Sequence, residues 1–174
     1  MNKYAKIMNV MYNVIILLGI KVNIMNNITY QYIDHTNEKF KEVIDLRFNI
    51  LFKPYSKISK YDYDEFDNIS FHLVALREDK VIGYSRMTKI NDKGKITNVV
   101  VNPEYIKKGI GFEMMQRHIF KAEENNIGHL YLNARADTIN FYKKIGFECK
   151  EDMFLSEKSG LMLQKMYYEV NLVR

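Results

Sequence analysis

The sequence predicts a single α+β domain built on a mixed sheet. Three observations carry this. The chain is 174 residues long, the size of one domain. Stretches of alternating apolar residues take turns with stretches of helical period, separated by short turns. The middle of the chain, 71–101, reads as three strands joined by tight turns, an antiparallel meander. Apolar residues make up 47% and charged residues 27%, a balance that can bury a core and argues against wholesale disorder. Two prolines and eight glycines exclude collagen-like or linker-like composition. The single cysteine, Cys149, excludes a disulfide framework and a cysteine-built zinc site, and it suits a reducing, cytoplasmic setting.

The formal net charge is +5, unevenly spread. Residues 1–27 hold Lys3, Lys6 and Lys21 and no acid, so the remainder is nearly balanced. No helix or face carries a run of Lys or Arg, so a nucleic-acid partner is not expected. Residues 7–20 are uncharged but interrupted by Asn9 and Asn13. They fall short of the ~20 apolar residues of a spanning helix, so stable membrane insertion is not expected. Gly19-Ile20-Lys21 does not make a small-x-small signal cleavage site. A globular pattern begins after Met25, a candidate translational start. The expected organisation is an N-terminal extension, 1–24, outside the globular fold, and one domain, 25–174.

Residues 28–34 alternate, with Ile28, Tyr30 and Tyr32 against Thr29, Gln31 and Ile33, as a strand does. Thr36 stands three residues before Lys39 rather than a Glu, an incomplete capping box. Phe40, Val43, Ile44, Arg47, Phe48 and Leu51 then recur at helical spacing, predicting a helix over 37–52 that Pro54 ends. The acidic stretch 55–69, with Asp62, Asp64, Glu65 and Asp67, reads as a loop or short helix with a solvated surface. The meander strands are 71–76, 81–89 and 95–101, with Asn91-Asp92-Lys93-Gly94 as the second turn. A helix over 109–126, a buried strand 129–133, a short helix 138–145 stopped by Gly146, and strands 147–155 and 161–170 complete the chain.

Chemistry concentrates where the third meander strand ends: Val99-Val100-Val101-Asn102-Pro103-Glu104-Tyr105-Ile106-Lys107-Lys108-Gly109-Ile110-Gly111. A helix start leaves backbone N–H groups unpaired at the positive end of its dipole, and closely spaced glycines let a diphosphate approach them. Lys107 and Lys108 add positive charge. Spacing rules out the familiar alternatives. Met114 occupies the third-glycine position of a dinucleotide fingerprint, and Met114-Met115-Gln116 replaces the Gly-Lys-Ser/Thr of a Walker loop. Gly83-Tyr84-Ser85-Arg86-Met87 lacks the second glycine of a nucleophile elbow. No histidine pair has zinc spacing, so no metal is expected.

Leu132-Asn133-Ala134-Arg135 follows the next strand, and Asn140-Phe141-Tyr142-Lys143-Lys144-Ile145-Gly146-Phe147 follows that. With the glycine loop, these segments resemble the GNAT superfamily of acyl-CoA-dependent N-acetyltransferases over residues 28–170. Leu46-Arg47, Asp64-Glu65-Phe66-Asp67 and His72-Leu73-Val74-Ala75 look like its ElaA-like branch. The resemblance implies a central, mostly antiparallel sheet of six to seven strands flanked by helices. It implies acetyl-CoA as cosubstrate and a small-molecule or peptide amine as acceptor, attacked directly in a ternary complex. The pantetheine arm would pair with Val99, Val100 and Val101, and a backbone N–H there would polarise the thioester carbonyl. The pyrophosphate loop would be Ile106, Lys107, Lys108, Gly109, Ile110 and Gly111. Ile106 departs from the family's Arg or Gln, which removes a side-chain contact and leaves the backbone donors. Asn133 and Asn140 would contact the pantetheine amides. Tyr142 would be the general acid toward the departing thiolate.

The general base is open between Glu65, Asp67, His72 and Asn98 acting through water. His72 shares a strand face with Val74 and Leu76 and reads as a core histidine. The branch's Pro-His near the last strand is replaced here by Glu157-Lys158-Ser159-Gly160-Leu161. Cys149 and the two phenylalanines Phe141 and Phe147 read as core residues. The competing reading is a non-catalytic acyl-CoA-binding regulatory module. The sequence leaves a homodimer open.

Overall fold

The computed structural model describes residues 28–54, 64–157 and 159–172; the expected extension 1–24 and the start at Met25 lie outside these. The elements run β1 (Ile28–Ile33), α1 (Phe40–Arg47), β2 (Ser70–Arg77), β3 (Lys80–Ile90), β4 (Lys93–Val101), α2 (Ile110–Glu124), β5 (His129–Arg135), α3 (Ile139–Ile145), β6 (Glu148–Cys149), β7 (Phe154–Leu155) and β8 (Met162–Glu169). The strands form one sheet in the order β1-β2-β3-β4-β5-β8-β6, with β7 paired to β8. All pairs are antiparallel except β4 with β5. This is the mostly antiparallel sheet expected. It has eight strands rather than six or seven because the stretch 147–155 divides into two short strands, each paired to a different part of β8.

The sheet carries helices on both faces. On one, α1 covers Val74, Tyr84 and Val100 through Phe40 and Val43. On the other, α2 lays Ile110, Met114, Met115, Ile119 and Ala122 against Leu73, Ala75, Met87 and Ile96, and α3 adds Tyr142 and Ile145. The helix expected over 37–52 starts later, at Phe40. Thr36 does not cap it: its hydroxyl and N–H both donate to Asp34, while Asn37 accepts from Lys39 N at 3.0 Å. Its last turn, Phe48–Phe52, widens to a π-helix, with Lys53 N donating to Phe48 O at 2.9 Å. Gly146 ends α3 as expected, with φ 108°. Phe147 N reaches Tyr142 O and Gly146 N reaches Lys143 O, the two bonds of a Schellman cap. Lys93 and Gly94 belong to β4 rather than to the preceding turn. A Cβ at Gly94 would stand 2.5 Å from Leu130 Cδ2, so glycine permits the close pairing of β4 with β5 there.

Two buried polar systems were not foreseen. Arg47, Asp67 and Arg86 are each at most 5% exposed. Arg47 reaches both oxygens of Asp67 at 3.1 Å and Asp64 at 2.9 Å, and Arg86 reaches Asp64 and Asp67 at 2.6 Å each. Within the acidic stretch Asp67 is therefore buried and Asp64 partly so, while Glu65 is exposed as a solvated surface requires. Asp64 and Asp67 fold inward because two guanidinium groups, on α1 and β3, require counter-charges away from water. The second system is His118 on α2, whose Nε2 lies 2.8 Å from Ser85 Oγ and Nδ1 3.3 Å from Tyr32 Oη. Tyr32 Oη donates to Arg117 O at 3.1 Å. Burial pushes the His118 pKa down to about 3, keeping the ring neutral.

Candidate active site

The parting of β4 from β5 builds the site. The two run parallel, and their pairing stops after three residues: Lys93 with His129, Gly94 with Leu130, Lys95 with Tyr131. From Ile96 onward, β4 presents to the gap an edge that β5 does not pair, an edge able to accept an added extended chain. On its other side β4 stays paired with β3, but with a bulge. Arg86 faces Thr97 and Tyr84 faces Val100, so Ser85 opposes both Asn98 and Val99. Asn98 adopts φ 54°, and such a two-against-one step takes backbone polar groups out of the ladder.

The loop after β4 delivers the chain to α2. Asn102 accepts from Glu104 N at 3.1 Å and starts a single 3-10 turn, Pro103–Tyr105. Lys107 and Gly109 take positive φ, 62° and 81°, which turns the chain into the helix. Glu113 N donates to Gly109 O at 3.0 Å, so the N–H groups of Ile110, Gly111 and Phe112 precede the first helical bond, and no side chain caps them. Nothing lies within 4 Å of where a Cβ on Gly109 would stand. At Gly111 a Cβ would sit 3.2 Å from Phe141 Cζ, so this glycine lets α3 pack against the start of α2.

Between these elements lies a cavity of about 470 Å³. Of the residues singled out in the sequence, Val99, Val101, Ile106, Lys107, Gly109, Ile110, Gly111 and Tyr142 line it. Val100 points to the opposite face, into the core under α1, and can serve the cleft only through its backbone. Lys108 is exposed, its Nζ 4.8 Å from the Tyr105 ring centre. Asn133 and Asn140 are exposed and stand apart from the cavity wall.

Tyr142 is 8% exposed, packed edge-on between Phe141 and Phe147. Burial pushes its pKa up to about 12, so the phenol is neutral at physiological pH and keeps its proton to donate. Phe147 is core, 2% exposed. Phe141, expected to be core, is half-buried and lines the cavity, because the absent side chain of Gly111 leaves its ring at the cleft.

The four candidate bases separate by environment. His72 is fully buried. Its Nε2 donates to Asp67 O and its Nδ1 accepts from Tyr84 Oη, each at 2.7 Å, and desolvation lowers its pKa. Asp67 is committed to the two arginines. Glu65 is exposed, and Asn98 sits half-buried in the bulge. Cys149, expected in the core, is exposed, because β6 is an edge strand only two residues long. Among the described residues, no group of three or more His, Cys, Asp or Glu is arranged to hold a metal ion, and no helix is long and apolar enough to cross a membrane.

Sequence reasoning missed Phe112 and Thr138 in the cavity wall, and it missed the role of Arg47 and Arg86. A signal for the arginines was available: each interrupts an apolar pattern at a core position, and a buried arginine demands a carboxylate.

Comparison with known proteins gives this arrangement its family. The chain is 27% identical over 124 residues, 71% of its length and 85% of the relative's, to the uncharacterized N-acetyltransferase YjcF of Bacillus subtilis. Its fold is similar to the crystal structure of Escherichia coli ElaA, with TM-score 0.70 at 20% identity, covering 82% of this chain and 99% of that one. It is also similar to an aminoglycoside 6'-N-acetyltransferase complexed with coenzyme A, with TM-score 0.68 at 14% identity, covering 84% and 99%. The profile of the acetyltransferase (GNAT) family matches residues 38–147, which take in α1, the split between β4 and β5 and the whole of α3, so the chain belongs to the GNAT family and is an acyltransferase.

Proposed function

We propose that this acyltransferase moves an acetyl group from acetyl-CoA to a primary amine by direct attack, with both substrates bound together. The observation that carries the reading is the coincidence, around one cavity, of an open β4 edge, uncapped amides at the start of α2 and a neutral buried tyrosine. The residues fit the donor. The space beside Gly109 and the N–H groups of Ile110, Gly111 and Phe112 suit a diphosphate, with Lys107 supplying charge in place of the missing side chain at Ile106. The edge from Ile96 to Val101 suits the amides of the pantetheine arm. A backbone N–H at the bulge, from Asn98 or Val99, would stabilise the oxyanion.

The amine nitrogen attacks the thioester carbon, the C–S bond breaks, and the amine's proton passes to solvent. Tyr142 donates its hydrogen to the departing sulfur. Its raised pKa lies above that of an ordinary thiol, near 8.5. The phenol therefore acts chiefly through a charge-assisted hydrogen bond as negative charge develops on sulfur, rather than through early proton release. The catalytic unit under this reading is 25–174, in the reducing setting that suits acetyl-CoA chemistry and a lone cysteine.

The test is calorimetric binding of coenzyme A followed by thiol release from acetyl-CoA across a panel of amines. Tyr142→Phe is expected to lower kcat roughly 10- to 100-fold, the range of one hydrogen bond to a charged atom, with donor affinity kept. An unchanged kcat removes Tyr142 from the mechanism. No retention of coenzyme A at high protein concentration overturns the whole reading.

A further inference from the structure

The buried arginine–aspartate cluster makes a specific contact with the reacting edge of the sheet. Arg86 Nε donates to Thr97 Oγ1 at 3.1 Å, and Thr97 is the last residue of β4 in register with β3 before the bulge. The same guanidinium holds Asp64 and Asp67, and those carboxylates hold Arg47 at the end of α1. The turn 64–69 is fastened further. Asp67 O accepts from His72 at 2.7 Å, and Ser70 Oγ reaches Phe66 O at 2.6 Å and Thr88 Oγ1 at 2.7 Å. The chain from α1 through this turn to β3 is thereby tied to one hydroxyl on β4.

The bulge needs such a tie. Asn98 holds φ 54°, a left-handed conformation that asparagine tolerates better than most residues, so the residue alone does not pin the bulge. A bulge can also migrate along a ladder by shifting register one residue at a time. Here it is bracketed. On one side Tyr84, facing Val100, is fixed by its hydroxyl to His72. On the other side Arg86, facing Thr97, is fixed by the aspartates. We infer that Arg86 and Thr97 are positioning residues that lock the bulge at Asn98 and Val99, and so keep the backbone of those residues aimed for acyl transfer. This rests on the reading of the cleft given above. Neither residue touches the reacting atoms. Both act through the backbone between them.

The experiment compares Thr97→Val, which keeps the shape and loses the hydroxyl, with Thr97→Ser, which keeps the hydroxyl. Coenzyme A affinity, kcat and KM for each substrate, thermal midpoint and hydrogen exchange at the Asn98 and Val99 amides are measured on the full chain. Thr97→Val is expected to lower kcat roughly tenfold, as loss of one hydrogen bond would, and to speed exchange at those two amides. Coenzyme A affinity should fall by less than kcat does, because the diphosphate contacts at the start of α2 lie outside the bulge. Thr97→Ser should restore both kcat and exchange. Equal kcat in Thr97→Val and the parent, or equal damage in the Val and Ser variants, overturns the inference. So does a loss that follows coenzyme affinity or thermal midpoint alone. If the parent acetylates no amine, the reading of the cleft fails separately. The exchange comparison still decides whether Thr97 locks the bulge.

Discussion

Replacing Asp67 by asparagine changes one atom in a place where the surrounding chemistry permits little change. The carboxylate receives Arg47 on both oxygens, Arg86 on Oδ1 and the Asp64 N–H on Oδ2. An amide there turns one oxygen into a donor. Whichever way it is flipped, an N–H group faces a guanidinium or a backbone N–H. The cluster also passes from two positive and two negative groups to an uncompensated positive charge, with Arg47 fully buried. Breaking a buried pair costs about 3–5 kcal/mol. Asp64 remains to pair both arginines at 2.9 and 2.6 Å, which places the expected loss near the lower end, about 3 kcal/mol. At roughly 2–4 °C per kcal/mol for a chain of this size, the thermal midpoint should fall by about 6–12 °C. Urea unfolding followed by far-UV circular dichroism should give the same loss with an unchanged slope. Glu65→Gln, two residues away on an exposed side chain, is the control and should stay within about 0.5 kcal/mol. A loss for Asp67→Asn no larger than that of the control would refute the claim that this cluster bears on stability.

Acid should act through His118. Its pKa is pushed down to about 3 by burial, so the unfolded chain binds a proton near pH 6.5 that the folded chain refuses until about pH 3. The stabilisation is present above pH 6.5 and is lost as pH falls through that window. His118→Gln should flatten this part of the stability profile measured by urea unfolding, and an equal slope in both proteins would count against it. Gly111→Ala should raise KM for acetyl-CoA by about tenfold, the weight of ~1.4 kcal/mol. The new methyl would stand 3.2 Å from Phe141 Cζ and push that ring into the cleft; an unchanged KM would show that the ring gives way without cost.

Much of this fold could be read locally. The meander of β2, β3 and β4 follows from alternation and turn residues within thirty or so positions, and the stop at Gly146 needs only its own left-handed backbone. The glycine loop was legible because the conformations at Lys107 and Gly109 and the absent side chain at Gly111 are properties of a few adjacent residues. What escaped was long-range. Asp67 reads as a surface acid among Asp62, Asp64 and Glu65 until Arg47 and Arg86 arrive from α1 and β3, and no local pattern encodes that meeting. Cys149 failed the other way. Its strand was expected to be long and buried, and it proved a short edge. The bulge was equally hidden, since an asparagine with positive φ inside Thr97-Asn98-Val99-Val100 looks like any strand residue with a polar side chain.

The split between β4 and β5 also has a mechanical meaning. The sheet is two leaves, one of β1 to β4 and one of β5 to β8, sewn together by a seam only three residue pairs long. A molecule threaded into the opening supplies the missing stitches. What holds the leaves in one plane is therefore less the seam than the core beneath it, where Met115, Ile119 and Ala122 of α2 pack at once against Met87 and Ile96 of one leaf and Leu130 and Leu132 of the other.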